Sequence, residues 1–326
     1  MSKIKIGICG YGNLGKGCEK AILKAKDMEL VGIFTRRNPE DLKTESKTQV
    51  INVSDAEKWK DKIDVMIMCG GSATDLPIQV PHMAKFFNTV DSFDTHAKIP
   101  EHFKNVDDSA RKAKKTSLIS GGWDPGMFSL MRLYSKSILP EGTTYTFWGK
   151  GVSQGHSDAI RRLEGVKNAI QYTIPIEKAI NKVRKGENPD LKTGDKHIRE
   201  CFVVLEEGAD KEKIEKEIKN MPNYFSDYHT DVHFISEKEL IKKHSKMPHG
   251  GFVIHTAKTG DNNIQVMEYS LKLDSNPEFT SSVLTALARA VFRMNKNGQY
   301  GAITIFDIPP ILLSDKKPED LRKEIL

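Results

Sequence analysis

The chain has 326 residues, enough for two domains of the usual ~100–200 residues each, so its core needs no disulfide or metal staple. With 38% hydrophobic and 29% charged residues and a mean hydropathy of −0.47, it reads as an ordinary soluble globular protein, and no apolar run approaches the ~18 residues of a membrane helix. Fifty basic against 44 acidic residues leave a net charge of +6, but the charges are interleaved, as in Lys211–Lys219, which argues against a nucleic-acid face and suits an anionic small molecule or cofactor.

The four cysteines, Cys9, Cys18, Cys69 and Cys201, stand far apart with no C-x-x-C pair, so a disulfide framework or zinc ribbon is not expected and a reducing cytosol fits. A strand follows Met1 within three residues, leaving no signal peptide to expect. Over the first 120 residues, apolar runs at Ile4–Cys9, Leu30–Phe34, Val65–Cys69, Thr89–Phe93 and Ser117–Ile119 alternate with helical patterns at Leu14–Lys24, Leu76–Phe87 and His102–Lys114. Buried, non-alternating strands separated by helices predict a parallel sheet covered on both faces.

Trp123-Asp124-Pro125-Gly126 leads into a helix that Pro140-Glu141-Gly142 stops. From there longer strands are expected at Thr143–Gly149, Asn168–Ile174, His197–Leu205, Val232–Ile235, Gly251–His255 and Ile264–Leu273, with charged helices near Ile176–Lys185 and at Lys211–Lys219. This is an α+β half with a mixed or antiparallel sheet, in which 183–264 is a candidate subdomain. An apolar helix over Phe279–Met294 is followed by Gly298, Gly301 and a run at Ile303–Ile305, where the chain is expected to return to the first domain at about residue 300. The expected domains are therefore 1–120 with 300–326, and 121–299.

Gly10-Tyr11-Gly12-Asn13-Leu14-Gly15 follows the first strand and opens a helix. In that setting Gly10 permits the tight turn, Gly12 lets backbone approach a pyrophosphate, and Gly15 lets the helix pack closely, its N-terminus facing the phosphates. About 20 residues on, where a carboxylate would take the ribose of NAD, the second strand ends in Thr35-Arg36-Arg37. Two guanidiniums and a hydroxyl suit a 2′-phosphate, with no carboxylate expected there to repel it, and predict NADP. Cys69-Gly70-Gly71-Ser72 and Ser92-Phe93-Asp94 leave the carboxyl ends of later strands, where open α/β sheets bind ligands.

These segments resemble the meso-diaminopimelate D-dehydrogenase family over essentially the whole chain. The resemblance rests on Ile8–Gly15, Cys69–Ser72, Asp91-Ser92-Phe93-Asp94, Gly122-Trp123-Asp124-Pro125-Gly126, Phe147-Trp148-Gly149, Val152-Ser153-Gln154-Gly155-His156-Ser157-Asp158 and Met247-Pro248-His249-Gly250. It implies a Rossmann-type fold and a cytosolic homodimer. The activity it implies is reversible NADP-dependent deamination of meso-2,6-diaminopimelate at its D-centre, in lysine biosynthesis. It also implies a substrate site lined by Asp94, Asp124, Trp148, Gln154, Gly155, Thr173, Arg199, His249 and Asn276. The expected cofactor contacts are Gly10–Gly15, Thr35–Arg37, Cys69–Ser72, Ser92–Asp94 and Gly122–Pro125.

The chemistry asks for such residues. Hydride leaves only a carbon bearing a neutral amine, so carboxylates beside the nicotinamide must accept the ammonium and relieve it of a proton. Asp94 and Asp124 fit this role, although Asp before Pro-Gly also suits a turn. Arg199, on the strand His197–Leu205, offers a fork to the distal carboxylate, with Thr173 and His249 adding neutral hydrogen bonds. Taken without the resemblance, Arg199 would read as a surface strand arginine, His249 as an ordinary loop residue, and Trp123 and Trp148 as core. Cys69 and Cys201 sit in apolar strands and read as buried hydrophobes rather than nucleophiles. His229-Thr230-Asp231-Val232-His233 lacks further ligands for a metal. Two other readings stay open: an NADP(H)-sensing regulatory protein without catalysis, and another NADP-dependent reductase of lysine biosynthesis.

Overall fold

The computed structural model describes residues 3–326, and the chain divides into two compact units, Met1–Leu130 with Pro277–Leu326, and Met131–Asn276. In the first unit, β1 (Ile4–Cys9), α1 (Asn13–Lys24), β2 (Met28–Thr35), β3 (Val50–Asn52) and β4 (Val65–Met68) are followed by α2 (Leu76–Met83), β5 (Asn88–Asp91), α3 (Ile99–Lys112) and β6 (Thr116–Leu118). The runs are apolar without alternation because both faces are covered. In β4, Val65 and Ile67 enter one core with α1, while Met66 and Met68 enter another with α2 and α3. Helix α4 (Met127–Ile138) then leads onward.

The second unit carries β7 (Thr143–Trp148), β8 (Gly151–Val152), α5 (Gln154–Arg161), β9 (Val166–Pro175), α6 (Glu177–Arg184), α7 (Thr193–Lys196), β10 (His197–Leu205), α8 (Lys211–Lys219), β11 (His229–Phe234), α9 (Glu237–His244), β12 (His249–Thr259) and β13 (Asn263–Leu273). It holds a mixed sheet in the order β11-β10-β9-β8 and an antiparallel one in the order β13-β12-β7. Residues 183–264, read from the sequence as a candidate subdomain, do not separate. Strand β10 pairs antiparallel with β9 from His197–Pro175 to Leu205–Val166, and β12 pairs with β7. Strand β7 is apolar because Tyr145 and Phe147 pack against Ile180 and Val183.

The chain re-enters the first unit at Pro277, earlier than the expected residue 300. The reason is α10 (Asn276–Lys296), whose Leu284, Leu287, Ala288 and Val291 are buried against Ile6, Ile8 and Ile67. Its apolar residues therefore fill a core. Arg289 on this helix grips Asp27 with both carboxylate oxygens, at 2.5 and 2.7 Å. Strand β14 (Gly301–Ile303) completes a parallel sheet in the order β14-β6-β5-β4-β1-β2-β3, and α11 (Pro318–Ile325) ends the chain. The order reverses between β4 and β1, which puts the topological switch point beside the glycine loop.

Candidate active site

At that switch point lies a cavity of 310 Å³, lined by Gly10, Tyr11, Gly12, Thr35, Arg36, Arg37, Cys69, Gly70, Gly71 and Asp75 among others. Gly10 adopts φ +96°, which an L side chain resists, and a side chain on Gly15 would strike the carbonyl oxygen of Gly10 at 2.2 Å. Gly12 has open space around it, as a backbone approached by a phosphate requires. Tyr11 is pinned through its hydroxyl to buried Glu19, whose carboxylate also accepts the Ser46 amide at 2.7 Å.

The arginine pair divides its work. Arg37 donates from Nη2 to the carbonyl of Tyr11 at 2.6 Å, and its amide donates to the Thr35 hydroxyl at 3.1 Å. Arg36 instead meets both oxygens of Asp75, at 2.9 and 3.0 Å. The expectation that no carboxylate lies here is thus corrected: Asp75, just before α2, reaches the cavity from a distant stretch of sequence. The same Asp75 accepts the Gly71 amide at 2.9 Å, and a side chain on Gly70 would meet its Cβ at 2.8 Å. The small residues after β4 therefore make room for Asp75. An end-on pairing through both Nη atoms leaves the Nε edge of Arg36 available for a second acceptor.

Ser72 accepts the Asp94 amide at 2.9 Å, joining the β4 and β5 loops, and Asp94 itself is exposed. Asp124 is half-buried in a turn closed by Met127 N–H to Gly122 O at 3.0 Å and Phe128 N–H to Trp123 O at 2.7 Å. Trp123 belongs to the core, edge-on to Phe128 with ring centroids 5.2 Å apart. Ser92 and Pro125 are half-buried beside these aspartates, and Asn13 is exposed at the start of α1 with Leu14 packed on the core.

In the second unit the strand register places Arg199 opposite Thr173, and its Nη1 donates to the Thr173 hydroxyl. Arg199 is 5% exposed, its guanidinium lies 3.9 Å over the Tyr228 ring, and its Nε has no hydrogen-bond partner. Burial lowers this guanidinium below its usual value, the Tyr228 side chain opposing the shift. Two histidines nearby are pushed down to about 3, His156 by burial and then Arg199, His197 by burial, then Arg199 and Lys196. His197 accordingly accepts the Trp148 amide at Nε2, 2.8 Å away, and stacks on the Trp148 indole at 5.3 Å. Arg199 is a buried cation, and a planar anion is what its free Nε edge can hold.

Gln154 and Gly155 open α5, a helix not anticipated from the sequence, and Gln154 Nε2 lies 3.0 Å from Met247 Sδ. His249 begins β12 and accepts the Gly250 amide at Nδ1, 2.8 Å away. Asn276 donates its amide to Met247 at 2.9 Å, which gathers Gln154 and Asn276 around one methionine. Tyr228, Asp75 and His197 were missed. Each lies far in sequence from the group it touches, and only the strand register for Tyr228 and His197 gives a signal.

The rejected chemistries fit the structure poorly. The Cys9 and Cys201 thiols are pushed up to about 12 by burial, and Cys69, whose free thiol shares a hydrogen bond with the Cys18 thiol at 3.7 Å, is also held well above its ordinary value. His229 and Asp231 lie 3.2 Å apart, but among the described residues no group of three ligands forms. Among the described residues no helix is long and apolar enough to cross a membrane.

Residues 122–275 match the model of the diaminopimelic acid dehydrogenase C-terminal domain. Over 326 residues, all of both chains, the sequence is 63% identical to meso-diaminopimelate D-dehydrogenase of Ureibacillus thermosphaericus. A six-residue variant of Clostridium tetani meso-DAP dehydrogenase, solved with DAP, is 56% identical, with a TM-score of 0.95 over 99% of this chain and 100% of that one. An engineered D-amino acid dehydrogenase bound to NADP+ is 46% identical, with a TM-score of 0.89 over all of both chains.

Proposed function

The chain belongs to the meso-diaminopimelate D-dehydrogenase family, and from that premise we propose that it oxidises meso-2,6-diaminopimelate at the D-centre, reversibly, to L-2-amino-6-oxopimelate, ammonia and NADPH. It is an oxidoreductase acting on CH–NH2 groups with NADP. The observation that carries the substrate reading is Arg199, a buried guanidinium with a hydroxyl and an aromatic ring as neighbours and an unpartnered Nε. Gln154, Thr173, Arg199, Pro248, His249 and Asn276 match in type and number the six residues replaced in the Clostridium tetani variant solved with DAP, which supports their assignment to substrate binding. Pro248 joins the residues expected from the sequence.

The cavity at the switch point suits NADP: Gly12 is open for a pyrophosphate, and Arg36, Arg37 and Thr35 stand where a 2′-phosphate would lie. When bound, the nicotinamide accepts the hydride. Asp94 and Asp124 hold the reacting ammonium and take its proton, directly or through water, so that the neutral amine can release hydride. Water then adds to the iminium carbon and ammonia departs. Arg199 fixes the distal carboxylate, with Thr173 and His249 bonding around it.

A substrate whose two ends call for such different groups is read at both stereocentres, because exchanging them leaves an amine without its partner. Absorbance of reduced nicotinamide, followed with NADP and the meso, LL and DD isomers, tests the reading: only the meso isomer should turn over readily. Asp94→Ala and Asp124→Ala should each lower kcat and leave NADP affinity within a few-fold. Ready oxidation of the LL isomer, or near-normal turnover in both variants, overturns the assignment of ends. A cytosolic homodimer serving lysine synthesis completes the proposal, and sedimentation of the purified chain checks the dimer.

A further inference from the structure

Beneath the two aspartate-bearing loops of the first unit lies a buried pair that the mechanism above does not use. Asp91 closes β5 and is fully buried, and His102 on α3 is 3% exposed. Asp91 Oδ1 accepts the amides of Phe93 and Ser120, each at 2.9 Å, and its backbone carbonyl accepts the Gly121 amide at 2.7 Å. One residue therefore stitches the loop that carries Asp94 to the loop that leads into Asp124. Ser120 is held by this bond at φ +55°, a left-handed conformation that a residue with a side chain adopts only when its surroundings fix it.

The other carboxylate oxygen, Oδ2, faces His102 Nε2 at 3.0 Å. A carboxylate accepts, so the imidazole carries its proton on Nε2, and the buried Nδ1 has no partner. The Phe93 ring stacks on the imidazole with centroids 4.2 Å apart and planes 25° apart, one residue before Asp94. Well-packed apolar residues would fill this space without the cost of burying polar groups. What the pair adds is direction. It fixes one acceptor orientation, and with it the spacing of both loops.

We propose that Asp91 and His102 are positioning residues for the oxidation, setting Asp94 and Asp124 at the distance the reacting amine requires. The inference rests on the roles given to those aspartates above. His102→Leu fills the space without a donor, and His102→Gln can still donate to Asp91. With the full chain, NADP and meso-diaminopimelate, His102→Leu should bind NADPH within about twofold of wild type. Its kcat should fall at least tenfold, roughly 1.4 kcal/mol in barrier, with a larger isotope effect on substrate deuterated at the D-centre. His102→Gln should recover kcat to within about threefold.

Wild-type kcat in folded His102→Leu overturns the proposal, and so does a parallel loss of kcat and NADPH affinity that His102→Gln does not restore. Should His102→Leu fail to fold, His102→Phe decides by the same criterion, because its ring can keep the stack on Phe93 and has no donor for Asp91. An active wild type with variants that match it overturns the pair alone. A wild type inert toward meso-diaminopimelate overturns the functional reading along with it.

Discussion

Two arginines, one in each unit, are built on opposite principles. Arg36 has a side chain 66% exposed and is gripped by Asp75, so its charge is balanced and hydrated whether or not a phosphate is near. Arg199 is 5% exposed, and its neighbours are a hydroxyl, a phenol ring and histidines kept neutral. Among the described residues no carboxylate pairs with Arg199, so an anion can offset its desolvation. On the proposed function, the difference teaches that affinity for substrate is concentrated in one buried group, whereas affinity for cofactor is spread over a loop of backbone amides and an exposed pair.

The largest expected effect follows from the buried member. Arg199→Met should raise KM for meso-diaminopimelate by about 30-fold or more, since truncating a buried charged partner costs about 2–5 kcal/mol. A D-amino acid with a single carboxylate has no distal group to lose, so its kcat/KM should hold or rise. Equal losses for both substrates would place Arg199 in the fold rather than in the site.

The exposed pair gives a smaller and more divided outcome. Arg36→Ala removes charge-assisted bonds worth about 1.5–3 kcal/mol and should weaken NADP roughly tenfold or more, with NAD unchanged. Arg37 also holds the glycine loop through the Tyr11 carbonyl, at 2.6 Å. Arg37→Ala should therefore weaken both cofactors, NADP the more. Isothermal titration with each cofactor separates the two cases. Loss of NAD binding in Arg36→Ala would show that this arginine serves the loop as well.

How much of this the sequence discloses depends on how local each device is. The glycine loop occupies Gly10–Gly15, and strand, turn and helix are contiguous, so spacing alone reveals it. The first sheet is legible for the same reason, its buried strands being continuous apolar runs. Asp75 reaches Arg36 across 39 residues, and Tyr228 lies against Arg199 only because β10 and β11 run parallel in register. Such approaches are set by packing, which no short spacing encodes. Helix α10 is legible as an apolar run, but only packing shows that its apolar face fills the first unit's core.

The smallest effect concerns the neutral histidines that leave Arg199 as the dominant charge. His156 and His197 titrate at about 3 in the folded chain against 6.5 ordinarily, both chiefly because burial disfavours the imidazolium and Arg199 then repels it. Below pH 6.5 the unfolded chain takes up protons that the folded chain refuses. Their contribution to stability is thus whole above pH 6.5 and shrinks as the pH falls toward 3. At pH 5.5 the loss amounts to roughly 1.4 kcal/mol for each histidine. His197→Asn keeps an acceptor for the Trp148 amide and cannot titrate, so urea unfolding at pH 8 and 5.5 should show it less acid-sensitive than wild type by about that amount. An unchanged pH dependence would mean that His197 charges within the fold, against the neutral histidines that the contrast with Arg36 requires.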